Sequence, residues 1–212
     1  MLMDIYNELL EKYGKQNWWP LTGYFDPFEE VCIGAVLTQN TNWNNVEKAL
    51  QNLINEGITS FEKIQKIPED KLAVIIKPSG FYNQKAKTLK RLVNFVVNNV
   101  KENLDRRKLI SIKGIGKETA DTILLYGLNK PVFIVDAYTK RFFYRLGIIR
   151  EEKIEYDQLK NFIEKNLPKN IGIYKEYHAL IVEHCKNLCK KKPECDNCHI
   201  KYKCYNYCYE NK

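Results

Sequence analysis

Gly114, Ile115 and Gly116 lie inside residues 109–120, Leu-Ile-Ser-Ile-Lys-Gly-Ile-Gly-Lys-Glu-Thr-Ala, where a backbone can turn tightly enough to grip an anion. Glycine removes the Cβ that would keep a ligand away from such a turn. Ala120, Ile123, Leu124 and Leu128 then recur at helical spacing. The amides that open a helix point outward unpaired, at the positive end of its dipole. A nucleic-acid phosphate is a suitable anion, and backbone amides would hold it without reading sequence. The same residues also suit an ordinary helical corner. Further on, Asp136 closes the apolar run Val132-Phe133-Ile134-Val135 and precedes a helix-like segment, a position that suits a helix N-cap. Six of the seven cysteines crowd into residues 185–208. In a reducing compartment such a cluster usually holds a metal, and four thiolates suit either an iron–sulfur cluster or zinc. Cys32 sits alone in an apolar run and reads as a small core residue.

These residues need helices to place them. Leu2, Ile5, Tyr6, Leu9, Leu10 and Tyr13 form a helical stripe that ends at Gly14. Residues 27–40 carry another helical pattern, and the next helix starts near Trp43 and runs through Val46, Leu50 and Leu53. Between the two, the polar Thr38-Gln39-Asn40-Thr41 stretch can reach outward. Residues 78–89 read as a turn followed by a helix, with Asn83 as its N-cap. Leu104, Leu109 and Ile110 suit the end of a helix before the glycine turn, which gives helix–hairpin–helix. Strand patterns are scarce, so the expected class is all-α. Trp18, Trp19 and Pro20 form an aromatic loop that either pins the N-terminus or lines a pocket for a flat ligand. The net charge of +8 favours a polyanionic partner. No stretch is apolar for long enough to span a membrane, and the opening residues lack a signal peptide, so a cytoplasmic location is expected.

Lys-Gly-Ile-Gly-Lys-Glu-Thr-Ala and Val-Asp-Ala-Tyr together resemble the helix–hairpin–helix DNA glycosylase superfamily, to which endonuclease III belongs. Matching segments run from about residue 17 to residue 204. The resemblance implies a two-lobed fold, with residues 21–130 carrying the hairpin and residues 1–20 plus 131–212 forming the second lobe. It implies a cleft that receives Trp18, Trp19, Glu118 and Asp136, and a monomer acting in the nucleoid on double-stranded DNA with a damaged base. Asp136 matches the family's catalytic aspartate, which stabilises the oxocarbenium-like sugar and helps activate water. Gln39 matches a glutamine that fills the gap left by an extruded nucleotide. Phe81 holds the place of an apolar residue that wedges into the base stack. Gly114, Ile115, Gly116 and Lys117 would meet the DNA backbone. Cys189, Cys195, Cys198 and Cys204 resemble the family's 4Fe–4S loop, with five residues rather than six in the first gap. Zinc remains the alternative, and Cys185 and Cys208 flank the set as competitors. Counting from His184, which matches a family histidine, favours Cys189 over Cys185.

Glu118 departs from the bifunctional members, which carry a Schiff-base lysine at that position. Lys117 stands about 100° away around a helix, so the expected enzyme is monofunctional. The motifs at 18–20, 34–41, 77–87 and 113–118 most closely resemble the endonuclease III-like 3-methyladenine DNA glycosylases. That branch implies an alkylated base held between Trp18 and Trp43, with Trp19 and Pro20 as the wall and Glu118 at its border. Two other functions stay open: a glycosylase and abasic-site lyase for damaged or deaminated pyrimidines, and a non-catalytic DNA-binding protein.

Overall fold

Apolar residues recurring three and four apart produce helices almost throughout. The computed structural model describes residues 1–210. These residues form α1 (Leu2–Tyr13), α2 (Pro27–Leu37), α3 (Trp43–Asn55), α4 (Phe61–Lys66), α5 (Glu69–Ile75), α6 (Tyr82–Val97), α7 (Arg106–Ile110), α8 (Lys117–Thr122), α9 (Ala137–Arg145), α10 (Tyr156–Asn166) and α11 (Ile171–Asn187). No strand occurs among the described residues, and no helix there is long and apolar enough to cross a membrane. The all-α expectation holds. Local signals set many boundaries. Asp26 caps α2 by accepting from the Phe28 and Glu29 amides at 3.0 and 3.2 Å, with Pro27 at the first helical position. Asn42 accepts from the Asn45 amide at 3.1 Å and so starts α3 at Trp43. Gly14, at φ 69°, ends α1.

The chain divides into two compact units, Met1–Trp18 with Pro131–Lys212, and Trp19–Lys130. Trp19 and Pro20, expected with the chain's ends, belong instead to the second of these. The reason is packing: the Trp19 ring lies so close to α2 that a Cβ on Gly34 would stand 2.8 Å from it.

In the unit Trp19–Lys130, α2 is the central rod, with every residue from Val31 to Leu37 buried. Each fully buried Val, Ile or Leu in it contributes roughly 1.5–3 kcal/mol. Cys32 is among them, and burial pushes its thiol far up, so it is the core residue its surroundings suggested. The α8 helix runs on into a π-helical turn, Ile123–Gly127, that packs along α2. Across the hairpin, Arg106 Nε donates to the fully buried Asp121 Oδ1 at 2.8 Å and ties α7 to α8. The start of α6 differs from expectation. Phe81, not Asn83, is the N-cap residue, in left-handed backbone at φ 46°, and Asn83 lies inside the helix.

In the other unit, α1 and α9 both pack on α11. Phe133, Ile134 and Val135 run into it as a buried non-helical stretch, with the Phe133 ring edge-on to Tyr174 and Tyr177.

Candidate functional site

The unit Trp19–Lys130 carries the hairpin. Gly114 adopts φ 101°, and a Cβ there would fall 2.3 Å from Thr88 Oγ1, so the turn requires glycine for both conformation and space. Gly116 is the exposed N-cap of α8, with open space where a Cβ would go. Ile115 behaves otherwise. Its side chain is buried and its amide already donates to the Ile112 carbonyl at 2.9 Å, so it anchors the turn and offers nothing outward. Lys117 is half-buried at the first helical position, and Glu118 is exposed at the next.

Gln39 reaches from the end of α2 to this hairpin, where its Nε2 donates to Gly114 O and Thr119 Oγ1, both at 3.0 Å. Phe81 is 63% exposed, a costly placement for a phenylalanine with no partner to meet. Gln39, Phe81, Arg91, Lys113 and Gly114 line one open groove of about 480 Å³. Gln39, Phe81 and Gly114 thus share one groove with the cations Lys87, Arg91 and Lys113, whereas Ile115, Gly116 and Lys117 do not line it.

The same unit holds an aromatic cluster. Trp19 and Trp43 meet edge to face with centroids 5.1 Å apart, and Tyr126 lies 5.4 Å from Trp19. Trp43 Nε1 donates to Glu47 Oε1 at 2.9 Å. Pro20 is exposed beside them in sequence. Sequence reasoning missed Tyr126, because its place depends on the π-helical turn, a feature often found at functional sites.

Trp18 and Asp136 belong to the other unit. The Lys186 ammonium stands 5.7 Å from the Trp18 ring centroid, so this indole already attracts a cation. Asp136 caps α9: its Oδ1 accepts from the Thr139 amide at 2.7 Å and the Thr139 hydroxyl at 2.8 Å. Its Oδ2 lies 3.6 Å from His178 Nε2. Burial alone would raise this carboxyl, but His178 and the Thr139 donors outweigh it and hold Asp136 below its ordinary range. The group is ionised at neutral pH.

The α9 helix that begins at Asp136 ends on the cysteine loop. Arg141 Nε donates to Cys189 O at 2.9 Å, and Arg145 Nη2 donates to Lys191 O at 3.0 Å. Cys189, Cys195, Cys198 and Cys204 line one cavity of about 30 Å³, with Phe142 and Leu146 in its wall. Neither Cys185 nor Cys208 lines it. Cys185 instead lies buried in α11, where its thiol donates to the Tyr138 carbonyl oxygen at 3.7 Å. The neighbouring Cys185 thiol, with the Arg145 and Arg141 guanidinium groups, holds Cys189 below the ordinary thiol range against the opposing effect of burial. Cys198 is pushed up to about 11 by burial, an effect that a bound metal cation would reverse.

Among the described residues, the ligand atoms of His184, Cys198 and His199 lie within 4.8 Å of one another. The four thiols around one cavity suit either an iron–sulfur cluster or zinc.

A glycine hairpin that backs onto a central helix, in an all-helical chain with a cysteine-lined loop, defines a helix–hairpin–helix protein. Residues 33–169 match the HhH-GPD superfamily base excision DNA repair proteins, and the chain belongs to that superfamily. It is 54% identical to a protein of Methanocaldococcus jannaschii described as a candidate DNA repair glycosylase, over 96% of each chain. Endonuclease III of Thermotoga maritima is 32% identical, over 98% of this chain and 93% of the relative. The crystal structure of the H. pylori 3-methyladenine DNA glycosylase, bound to 1,N6-ethenoadenine, superposes with a TM-score of 0.75 at 34% identity, covering 87% of this chain and 97% of that one. A non-covalent endonuclease III–DNA complex shares the fold, with a TM-score of 0.84 over 99% of this chain and 98% of that one at 19% identity.

Proposed function

We propose that the protein is a monofunctional DNA glycosylase that extrudes alkylated purines of the 3-methyladenine type from double-stranded DNA and hydrolyses their N-glycosidic bond. The observation that carries this reading is Asp136, a half-buried carboxylate held below its ordinary range while only one of its oxygens is spent on the helix cap. An anion fixed in that way suits the positive charge that develops on a sugar as its base departs. Phosphate binding by a hairpin needs no such group, so a non-catalytic DNA-binding role leaves Asp136 unexplained.

The aromatic residues support the substrate class. Alkylation at a ring nitrogen gives the purine a formal positive charge. Stacking on an aromatic face is worth ~1–3 kcal/mol per base, and cation–π attraction adds about 0.5–2 kcal/mol. A normal purine gains only the first. The Lys186 ammonium over Trp18 illustrates the attraction this chain's own indole exerts on a cation. The likeness to a 3-methyladenine glycosylase at 34% identity points the same way. Duplexes that each carry one defined lesion test the assignment directly. 3-Methyladenine should be released, and Trp18→Ala or Trp43→Ala should each slow that release roughly tenfold, as loss of ~1.4 kcal/mol implies. Release of thymine glycol or uracil with methylated DNA ignored would sink the alkylpurine reading and leave Asp136 its role.

Cys189, Cys195, Cys198 and Cys204 would hold a 4Fe–4S cluster. Bound there, it would supply redox-active iron and cross-link the loop to the helices behind it. Arg141 and Arg145 hold the loop backbone in place from α9, and Arg145 Nη1 also donates to Cys189 Sγ at 3.3 Å. Purified protein should be yellow-brown, with iron and sulfide in near-equal amounts, and Cys185→Ala or Cys208→Ser should leave that colour intact. Colourless protein carrying stoichiometric zinc after anaerobic preparation would replace the cluster with a single ion.

A further inference from the structure

Lys85 is 2% exposed, yet its charge faces no carboxylate among the described residues. Its Nζ donates to Leu37 O at 2.8 Å and to Ser79 O at 2.6 Å. Leu37 ends α2, so its carbonyl is one of those a helix leaves unpaired at its C-terminus. Ser79 closes the 3-10 turn Lys77–Ser79. Two residues beyond Leu37 stands Gln39, and two beyond Ser79 stands Phe81. Lys85 holds Phe81 from its other side as well, since the Lys85 amide donates to Phe81 O at 3.0 Å.

We infer that Lys85 is a positioning residue for base extrusion, its ammonium fixing the Gln39 and Phe81 turns against each other so that both enter the duplex in register. The inference rests on the reading that these two residues meet the opened base stack. Backbone strain supports it. Phe81 sits at φ 46°, a conformation that a bulky non-glycine residue keeps only where its surroundings over-determine it. Lys85 bonds both chain segments through its ammonium. Burial lowers its ammonium to about 8, which leaves it charged at neutral pH with backbone carbonyls as its hydrogen-bond partners. Its neighbours along the groove, Lys87, Arg91 and Lys113, are cations and give it no counter-charge.

A double-mutant cycle on the full-length protein tests this. The probe is a duplex with 2-aminopurine stacked beside an abasic-site analogue, whose fluorescence rises as the stack opens. Lys85→Met and Phe81→Ala should each slow the rise at least tenfold, while for Lys85→Met affinity for undamaged duplex stays within threefold of wild type. Because Lys85 acts through Phe81 and Gln39, the double variant should lose less than the product of the two single losses, and Lys85→Arg should recover most of the rate. Should Lys85→Met fail to fold, Lys85→Gln enters the same cycle, since its amide keeps one donor. A folded Lys85 variant that opens the stack at the wild-type rate overturns the inference. So does a loss that multiplies with that of Phe81→Ala, or one matched by equal loss of undamaged-duplex binding. If Phe81→Ala itself opens the stack normally, the wedge reading falls and Lys85 loses its role with it.

Discussion

Asp136→Asn should release a damaged base roughly a hundredfold or more slowly than the wild type, the scale seen when one preorganised electrostatic partner is removed from a reacting centre. The geometry lets charge be removed while structure is kept. Oδ1 serves the cap, accepting from Thr139 through both its amide and its hydroxyl. An asparagine oxygen can take the same two bonds, so α9 and its grip on the cysteine loop should persist. Oδ2 is spared from the cap and faces His178 at 3.6 Å. Its replacement by an uncharged amide nitrogen removes the anion that a developing oxocarbenium sugar would feel. Single-turnover excision on a defined lesion, with duplex affinity and melting temperature measured alongside, separates the two roles. Undiminished excision would make Asp136 a helix cap and nothing more. A fall in melting temperature that accounts for the lost activity would say the same, because a cap alone is worth only about 0.5–2 kcal/mol.

The features legible from sequence were those fixed by neighbours along the chain. Gly114 and Gly116 announced the hairpin because its turn needs a left-handed residue at 114, and the helical spacing that follows begins within four residues. Asp136 announced its cap because the acceptor and the Thr139 amide are three residues apart. Features set by packing across the sequence were hidden. Ile115 sits between two outward-facing glycines and reads as part of the binding surface. It is buried, and its amide is already spent on the Ile112 carbonyl. Asn83 looked like the better cap for α6 by residue type. Instead the backbone turns left-handed at Phe81, held by the Ser79–Lys85 contact that spans the start of the helix. Trp19 joined the other unit than expected because Gly34, fifteen positions away, makes room for its ring. Tyr126 carries no local mark at all. The six-cysteine cluster was plain, and counting from His184 already favoured Cys189; the fold adds a cavity that Cys185 and Cys208 do not line.

Borohydride should trap almost no covalent complex between the wild-type protein and damaged duplex, and the product strand should stay unbroken until alkali or another enzyme cleaves it. Trapping requires an amine that attacks the sugar and forms an imine, and a carboxylate cannot do so. Glu118 occupies the second helical position of α8, exposed, the place that the sequence resemblance matches to the lysine of bifunctional members. Lys117 is adjacent, but one residue along a helix is a rotation of about 100°, and its side chain is half-buried rather than projecting with Glu118. The two side chains therefore leave the helix on different faces. Glu118→Lys places an amine on the Glu118 face and should raise trapped complex from background to a readily measured fraction of the DNA. Glu118→Gln should leave trapping at background while weakening the preference for a positively charged base over an uncharged one. If wild-type protein traps efficiently and Lys117→Ala abolishes it, the monofunctional reading is wrong, and Lys117 reaches the sugar despite its position. If Glu118→Lys still excises the base but traps nothing, then residue 118 does not face the reacting sugar. The carboxylate would then be left with the role its helix alone assigns it, a negative charge at the positive end of the α8 dipole.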